Sequence, residues 1–122
     1  MAGIAGFIAV NLDCPDPAAL AAFYQALGGG EITYSSAEYA SVTLDGGTVL
    51  YFQGTADHRR PTWPDPAVPQ QFHLDFYVDD LDKAEAGLRE LGAERPEPQP
   101  SDRWRVLTDP AGHPFCICLR SQ

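Results

Sequence analysis

Set against itself at an offset of 64 residues, the chain repeats. Leu27-Gly28 aligns with Leu91-Gly92 (91 − 27 = 64), Val42 with Val106, and Asp45 with Asp109. Upstream, the apolar trio Ile8, Val10 and Leu12 aligns with Phe72, Leu74 and Phe76, and Asp16 with Asp80. A unit this long, present twice, is not a solenoid, which needs three or more short repeats to bury a continuous core. It is the pattern of a duplicated supersecondary module within one domain. The expected organisation is a single domain over residues 1–122, with module one at 4–54, a linker at 55–70 and module two at 71–120. Two related modules packed together leave a cleft between equivalent positions.

Each copy reads as β-α-β-β-β. In the first, Phe7 to Asp13 alternates as a strand, with Ile8, Val10 and Leu12 on one face and Ala9, Asn11 and Asp13 on the other. Cys14-Pro15-Asp16-Pro17 stops it, and Asp16 is a natural N-cap with Pro17 at the first helical position. The helix is predicted over Ala18–Leu27, with Leu20, Phe23, Tyr24 and Leu27 as its apolar stripe, closed by Gly28-Gly29-Gly30. Strands follow at about 31–34, 39–44 and 48–53, the last two joined across Asp45-Gly46-Gly47. In the second copy Phe72 to Val78 is a strand, Asp80 caps a helix over Leu81–Leu91, and Gly92 ends it. The proline-rich stretch Glu94–Pro100 is loop or a poor edge strand. Arg103–Thr108 and Pro114–Leu119 complete the copy. The intervening stretch Gly54–Gln70 holds Arg59-Arg60 and Trp63, and irregular segments of that length are usually functional or mobile.

Charge removes several classes of partner. The net charge is −9, with only 8 Lys plus Arg against 17 Asp plus Glu. That field repels phosphate backbones and acidic membrane surfaces, so no nucleic acid and no membrane partner is expected. The first residues lack the basic segment of a signal peptide, and cytoplasmic location is the expectation. Three cysteines without a CxxC spacing read as reduced thiols. Cys116 and Cys118, two apart in a strand, point to the same face. There is no GxSxG, HExxH or phosphate-cradling glycine loop.

Several motifs carry a family likeness. They are Leu12-Asp-Cys-Pro-Asp-Pro followed by Phe23-Tyr24, then Phe72-His-Leu-Asp-Phe-Tyr-Val-Asp-Asp-Leu, Leu91-Gly-Ala, and Asp109-Pro-Ala-Gly-His-Pro-Phe-Cys. On these the chain resembles the vicinal oxygen chelate superfamily, the glyoxalase/bleomycin-resistance/dioxygenase group, and more narrowly the glyoxalase-like proteins common in actinobacteria. The resemblance implies an α+β fold in which two βαβββ modules form a cupped mixed β-sheet around a pocket, with the helices outside. It also implies a homodimer, which would cover short edge strands. It does not by itself select an activity, since this superfamily hosts isomerases, epimerases, dioxygenases, thiol transferases and drug-binding proteins.

In metal-dependent relatives each module supplies two ligands, one from its first strand and one from its last. Carried onto this chain, those positions fall on Ala9, near Leu50, on His73 and on Cys116. Two of the four offer no donor atom, and one His with one thiol is not the His/carboxylate set that holds iron, manganese or nickel. No metal and no cofactor is therefore expected.

The candidate catalytic residues are His73, as a base poised near neutral pH, with Asp75 and Cys116 beside it. The acidic surroundings oppose a thiolate at Cys116. The expected ligand-binding residues are Asn11, Phe52, Trp63, His73, Asp75, Trp104 and Cys116, lining the cup between the modules with Trp63 near its mouth. His58 and His113 read as surface residues of turns, and Arg59-Arg60 as a solvated pair or an anion lure. Two classes stay open: a metal-free protein that binds a small, partly aromatic molecule, and a lyase or isomerase of the glyoxalase type using His73 with Asp75 or Cys116, with an atypical metal site as a variant. The aromatic supply favours the first, and the His73–Asp75 pair the second.

Overall fold

Asp16 and Pro17 start the first helix as their chemistry requires. In the computed structural model, which describes residues 3–120, the Asp16 carboxylate accepts a hydrogen bond from the Ala19 N–H at 3.1 Å, and α1 runs Pro17–Gly28. Gly29 and Gly30 turn the chain away with φ of 70° and 107°. A Cβ at Gly30 would strike the Thr43 carbonyl, so only glycine suits that close approach. The chain divides between Ala56 and Asp57 into two compact units.

In the first unit β1 (Val10–Cys14), β2 (Glu31–Ser35), β3 (Tyr39–Thr43) and β4 (Val49–Gly54) form one sheet in the order β1-β4-β3-β2. β1 lies parallel to β4, and the other pairs are antiparallel. The first strand starts three residues later than the alternation predicts, leaving Phe7 and Ile8 outside it and exposed. Its facing is as expected. Leu12, Cys14, Leu50, Phe52, Ala40 and Val42 are buried with the α1 stripe of Leu20, Phe23 and Tyr24. The opposite face carries Asn11, Tyr51 and Tyr39, the two tyrosine rings meeting edge to face at 5.4 Å.

The second unit repeats the plan with β5 (Leu74–Val78), α2 (Leu81–Glu90), β6 (Trp104–Thr108) and β7 (Pro114–Leu119), ordered β5-β7-β6. Asp80 caps α2 by accepting from the Lys83 N–H at 3.0 Å. One strand of the expected β-α-β-β-β is missing. Between α2 and β6 only Glu94 bridges to Thr108, because Pro96, Pro98 and Pro100 cannot donate to a ladder. The Gln99 side chain stands in for the lost strand. Its amide accepts from the Val106 N–H and donates to the Val106 carbonyl, both at 2.9 Å. The α2 side of the sheet holds Leu107, Phe115 and Ile117, with Arg105 reaching Glu85 of α2 at 3.0 Å. Glu85, 7% exposed, also accepts from Arg89 and Arg95, so its buried carboxylate is fully engaged.

The pairing registers also correct the repeat. Asn11 sits opposite Tyr51, and its counterpart Asp75 (75 − 11 = 64) sits opposite Cys116. Tyr51 and Cys116 are therefore equivalent at an offset of 65 (116 − 51), and so are Thr43 and Thr108, each the last paired residue before its hairpin turn. The offset of 64 holds through the first strand and helix and slips by one in the hairpin. The sequence matches of Val42 with Val106 and of Asp45 with Asp109 are thus one residue out of register. No helix among the described residues is long and apolar enough to cross a membrane.

Candidate functional site

Period-two geometry builds a pocket on the face of the second sheet away from α2. His73, Asp75 and Tyr77 project from β5 and the residue before it, and Cys116 and Cys118 from β7. Trp104 of β6 lies directly opposite Cys118 in the antiparallel pair, and Asp75 directly opposite Cys116 in the parallel pair. Together with Phe76 they line a cavity of about 490 Å³. Trp104 is 40% exposed there, a large aromatic surface left uncovered on a strand otherwise turned to the core.

His73 Nε2 lies 3.6 Å from an Asp75 carboxylate oxygen, close enough to pair when the imidazole is protonated. Burial pushes the Cys116 thiol up to about 12, with the Asp75 charge adding to it. Burial and the same carboxylate also raise Cys118. Both residues are free thiols. A thiol held this high is a poor nucleophile at neutral pH, since the thiolate is the reactive form.

Of the seven residues expected to bind a ligand, the structure brings four together: His73, Asp75, Trp104 and Cys116. The other three are not part of this wall. Phe52 is fully buried and stacked on Tyr24 at 5.9 Å, so it belongs to the core under α1 and cannot face a ligand. Its neighbour Tyr51 takes the open face beside Asn11, which is exposed. Trp63 is half-buried in the 55–70 stretch and does not reach the cavity lining. Tyr77, Phe76 and Cys118 were missing from the expected set. The alternation that selects His73 and Asp75 already carries Tyr77, and the one that selects Cys116 carries Cys118.

The turn between β6 and β7 differs more from expectation. His113 is 1% exposed, its ring 4.9 Å from Phe72 and 5.5 Å from His58. The buried Asp109 carboxylate accepts from the Ala111 and His113 N–H groups, which fixes the turn. His58 Nε2 lies 2.8 Å from the Ala111 carbonyl, and Arg60 donates to the Pro110 carbonyl and to Glu94. His113 is therefore a buried part of this hairpin rather than a surface group, and His58 and Arg60 tie the preceding stretch to it, Arg60 while remaining solvent-exposed.

The register correction changes the positions that the family resemblance assigns to metal ligands. They become Ala9, Tyr51, His73 and Cys116, with Leu50 turned into the core. Ala9 has no donor and Tyr51 offers only a phenol, so these residues do not fit the His/carboxylate set.

The glyoxalase-like domain family matches residues 9–118 of the chain. Among solved structures, the chain is similar to the genomically encoded fosfomycin resistance protein FosX of Listeria monocytogenes, with a TM-score of 0.70 and 18% identity over 98% of this chain and 96% of that one. It is also similar to a glyoxalase/bleomycin resistance protein/dioxygenase family enzyme from Burkholderia phytofirmans PsJN, with a TM-score of 0.67 and 23% identity over 90% and 94%. A glyoxalase-related enzyme from Fulvimarina pelagi aligns with a TM-score of 0.64 and 20% identity over 93% and 88%. At such identities the likeness concerns the fold, an α+β arrangement with mixed sheets of four and three strands and two helices. No curated protein matches the sequence.

Proposed function

The chain belongs to the glyoxalase-like domain family, and from that premise we propose that its second unit binds a small, partly aromatic molecule without the metal centre of its metal-dependent relatives. The observation that carries this reading is the cavity of about 490 Å³ in which Trp104 and Tyr77 converge with His73 and Asp75. Aromatic area with a few convergent polar groups is the usual make-up of a ligand site. Stacking on Trp104 would supply affinity, and hydrogen bonds to His73 and Asp75 orientation.

Tryptophan fluorescence during titration with a panel of monocyclic and bicyclic phenols and aromatic acids is the test. A bound compound should perturb emission, and His73→Ala or Trp104→Ala should weaken binding by about 1–3 kcal/mol, the usual cost of a lost pocket contact. Trp63→Ala should leave the affinity unchanged. A panel in which no compound binds, or in which binding ignores both pocket variants, defeats the reading.

One observation favours chemistry as a second reading: the 3.6 Å approach of His73 to Asp75. A carboxylate beside an imidazole orients it, which suits proton transfer in a lyase or isomerase. Turnover of a bound compound, lost in both His73→Ala and Asp75→Asn, would identify it.

Cysteines without a CxxC spacing fit a reducing compartment, and we place the protein in the cytoplasm as a homodimer. Light scattering should return twice the chain mass of 13.3 kDa. A single-chain mass at micromolar concentration would end the assembly claim.

A further inference from the structure

Two arginines stand apart from the frame of the second unit. Arg60, Arg89, Arg95 and Arg105 each pair with a glutamate or an aspartate that helps to hold the unit together. Among the described residues no carboxylate pairs with the Arg103 side chain. Arg120 meets Asp79 at 3.3 Å, in an ion pair whose side chains keep 64% and 90% of their surface exposed. Arg103 and Arg120 both line a second cavity of about 280 Å³, with Val78, Asp79 and Leu119. We propose that these two guanidinium groups form an anion-binding end to the aromatic pocket, and that the pocket's ligand is an aromatic carboxylate; this rests on the pocket reading above and narrows it to a ligand class.

The strand registers place the two cavities side by side. Trp104, Cys118 and Tyr77 form one row across β6, β7 and β5, and all three line the aromatic pocket. Their chain neighbours Arg103, Leu119 and Val78 line the second cavity. Arg120 joins the two. It lies two residues beyond Cys118, about 7 Å further on at the usual rise of a strand. Its guanidinium carbon is 5.4 Å from the centre of the Tyr77 ring. A ligand ring set against Trp104 and Tyr77 can therefore carry a carboxylate to Arg120 without leaving the pocket face. The opposite end, two residues before Tyr77, holds the Asp75 carboxylate. An anionic group is repelled there and attracted at Arg120, so one orientation of an aromatic acid is favoured.

Charge and geometry both select a carboxylate. The guanidinium fork matches the two oxygens of a carboxylate in a bidentate pair. Two arginines and Asp79 give the second cavity a net charge of +1 (2 − 1), which balances a monoanion rather than a phosphate dianion. An exposed ion pair contributes little, so a ligand carboxylate can replace Asp79 on Arg120 at small cost, and Asp79 is released to water. The net charge of −9 on the whole chain opposes anions at long range. Physiological salt screens that field beyond about 8 Å, which leaves the contact with the two arginines to decide.

The experiment is a calorimetric titration with 2-naphthoate and 4-hydroxyphenylacetate, each beside its amide, which keeps the ring and loses the charge. The acids should bind at least about tenfold more tightly than the amides, the scale of a charge-assisted hydrogen bond. Arg120→Gln should abolish that preference and Arg103→Gln should reduce it. Asp79→Asn should tighten the acids, since it removes a competitor and a repulsion together. Arg59→Gln removes the same charge from a residue that lines neither cavity, and should change nothing. All four residues are exposed, so the variants should fold, which circular dichroism checks. Amides that bind as tightly as the acids overturn the anion-binding end and leave the pocket reading standing. An acid preference that survives Arg120→Gln, or that falls equally in Arg59→Gln, does the same, because the general field of the chain then accounts for it. If neither acids nor amides bind, the anion-binding end and the pocket reading fail together.

Discussion

Phe52→Ala is expected to cost about 3–5 kcal/mol of folding stability, the range for deleting a buried aromatic ring. Tyr51→Ala, one residue away, should cost about 1 kcal/mol or less, because its side chain sits on the open face of the sheet. The contrast follows from strand alternation. Phe52 is fully buried and stacks on Tyr24, whose ring is also inaccessible and meets Phe23 edge to face at 5.2 Å. Its removal leaves a cavity between α1 and β4 that neighbours held by the helix and the ladder can only partly fill. Against the 5–15 kcal/mol of total stability usual for a small domain, that is a large share. Urea denaturation measures both variants, the shift in midpoint at constant slope giving the difference. Equal losses for the two would mean that β4 is in the opposite register and that Phe52 belongs with the ligand-facing residues after all.

The second large effect is chemical. With its thiol pushed up to about 12 from an ordinary value of 9.0, Cys116 should be alkylated by iodoacetamide at pH 8 at least about tenfold more slowly than a free cysteine. The sign is fixed by which form reacts. Below both values the thiolate fraction rises tenfold per pH unit, and the smaller thiolate fraction of Cys116 outweighs the greater intrinsic nucleophilicity of its thiolate. The labelling rate should keep rising with pH well past the point where an exposed thiol levels off. Asp75→Asn removes the second cause and leaves burial, so it should recover part of the rate. Mass spectrometry of the peptide holding Cys116, across a pH series, reads both. Rapid labelling at neutral pH would revive Cys116 as a nucleophile and give the enzymatic reading its missing group.

Local chemistry determined the helices and the facing of the strands. An aspartate before each helix cannot avoid offering its carboxylate to the first free N–H groups, so Asp16 and Asp80 mark both starts in the sequence. Alternation in β1 and β5 assigns Leu12 to the core and Asp75 to the pocket face, because successive side chains in a strand must point opposite ways. The family resemblance brought His73 and Cys116 into the expected site and alternation added Asp75, while proline chemistry already marked the stretch after α2 as a poor strand.

What the sequence alone left undecided depended on partners distant along the chain. The one-residue slip between the two copies is invisible in a self-alignment, since Val42 matches Val106 by type. Only the pairing of β4 with β1, and of β7 with β5, shows that Tyr51 rather than Leu50 is the counterpart of Cys116. A slip of one turns every side chain to the other face, which is why Phe52 was expected in a pocket and lies in the core. His113 read as a surface turn residue because nothing nearby in sequence buries it. Phe72 and His58, both more than forty residues upstream, supply the rings that enclose it. Gln99 could stand in for a strand only once α2 and β6 had placed Val106 beside it. Propensity and spacing act within a few residues, whereas register and burial are set by contacts that exist only once the sheet has formed.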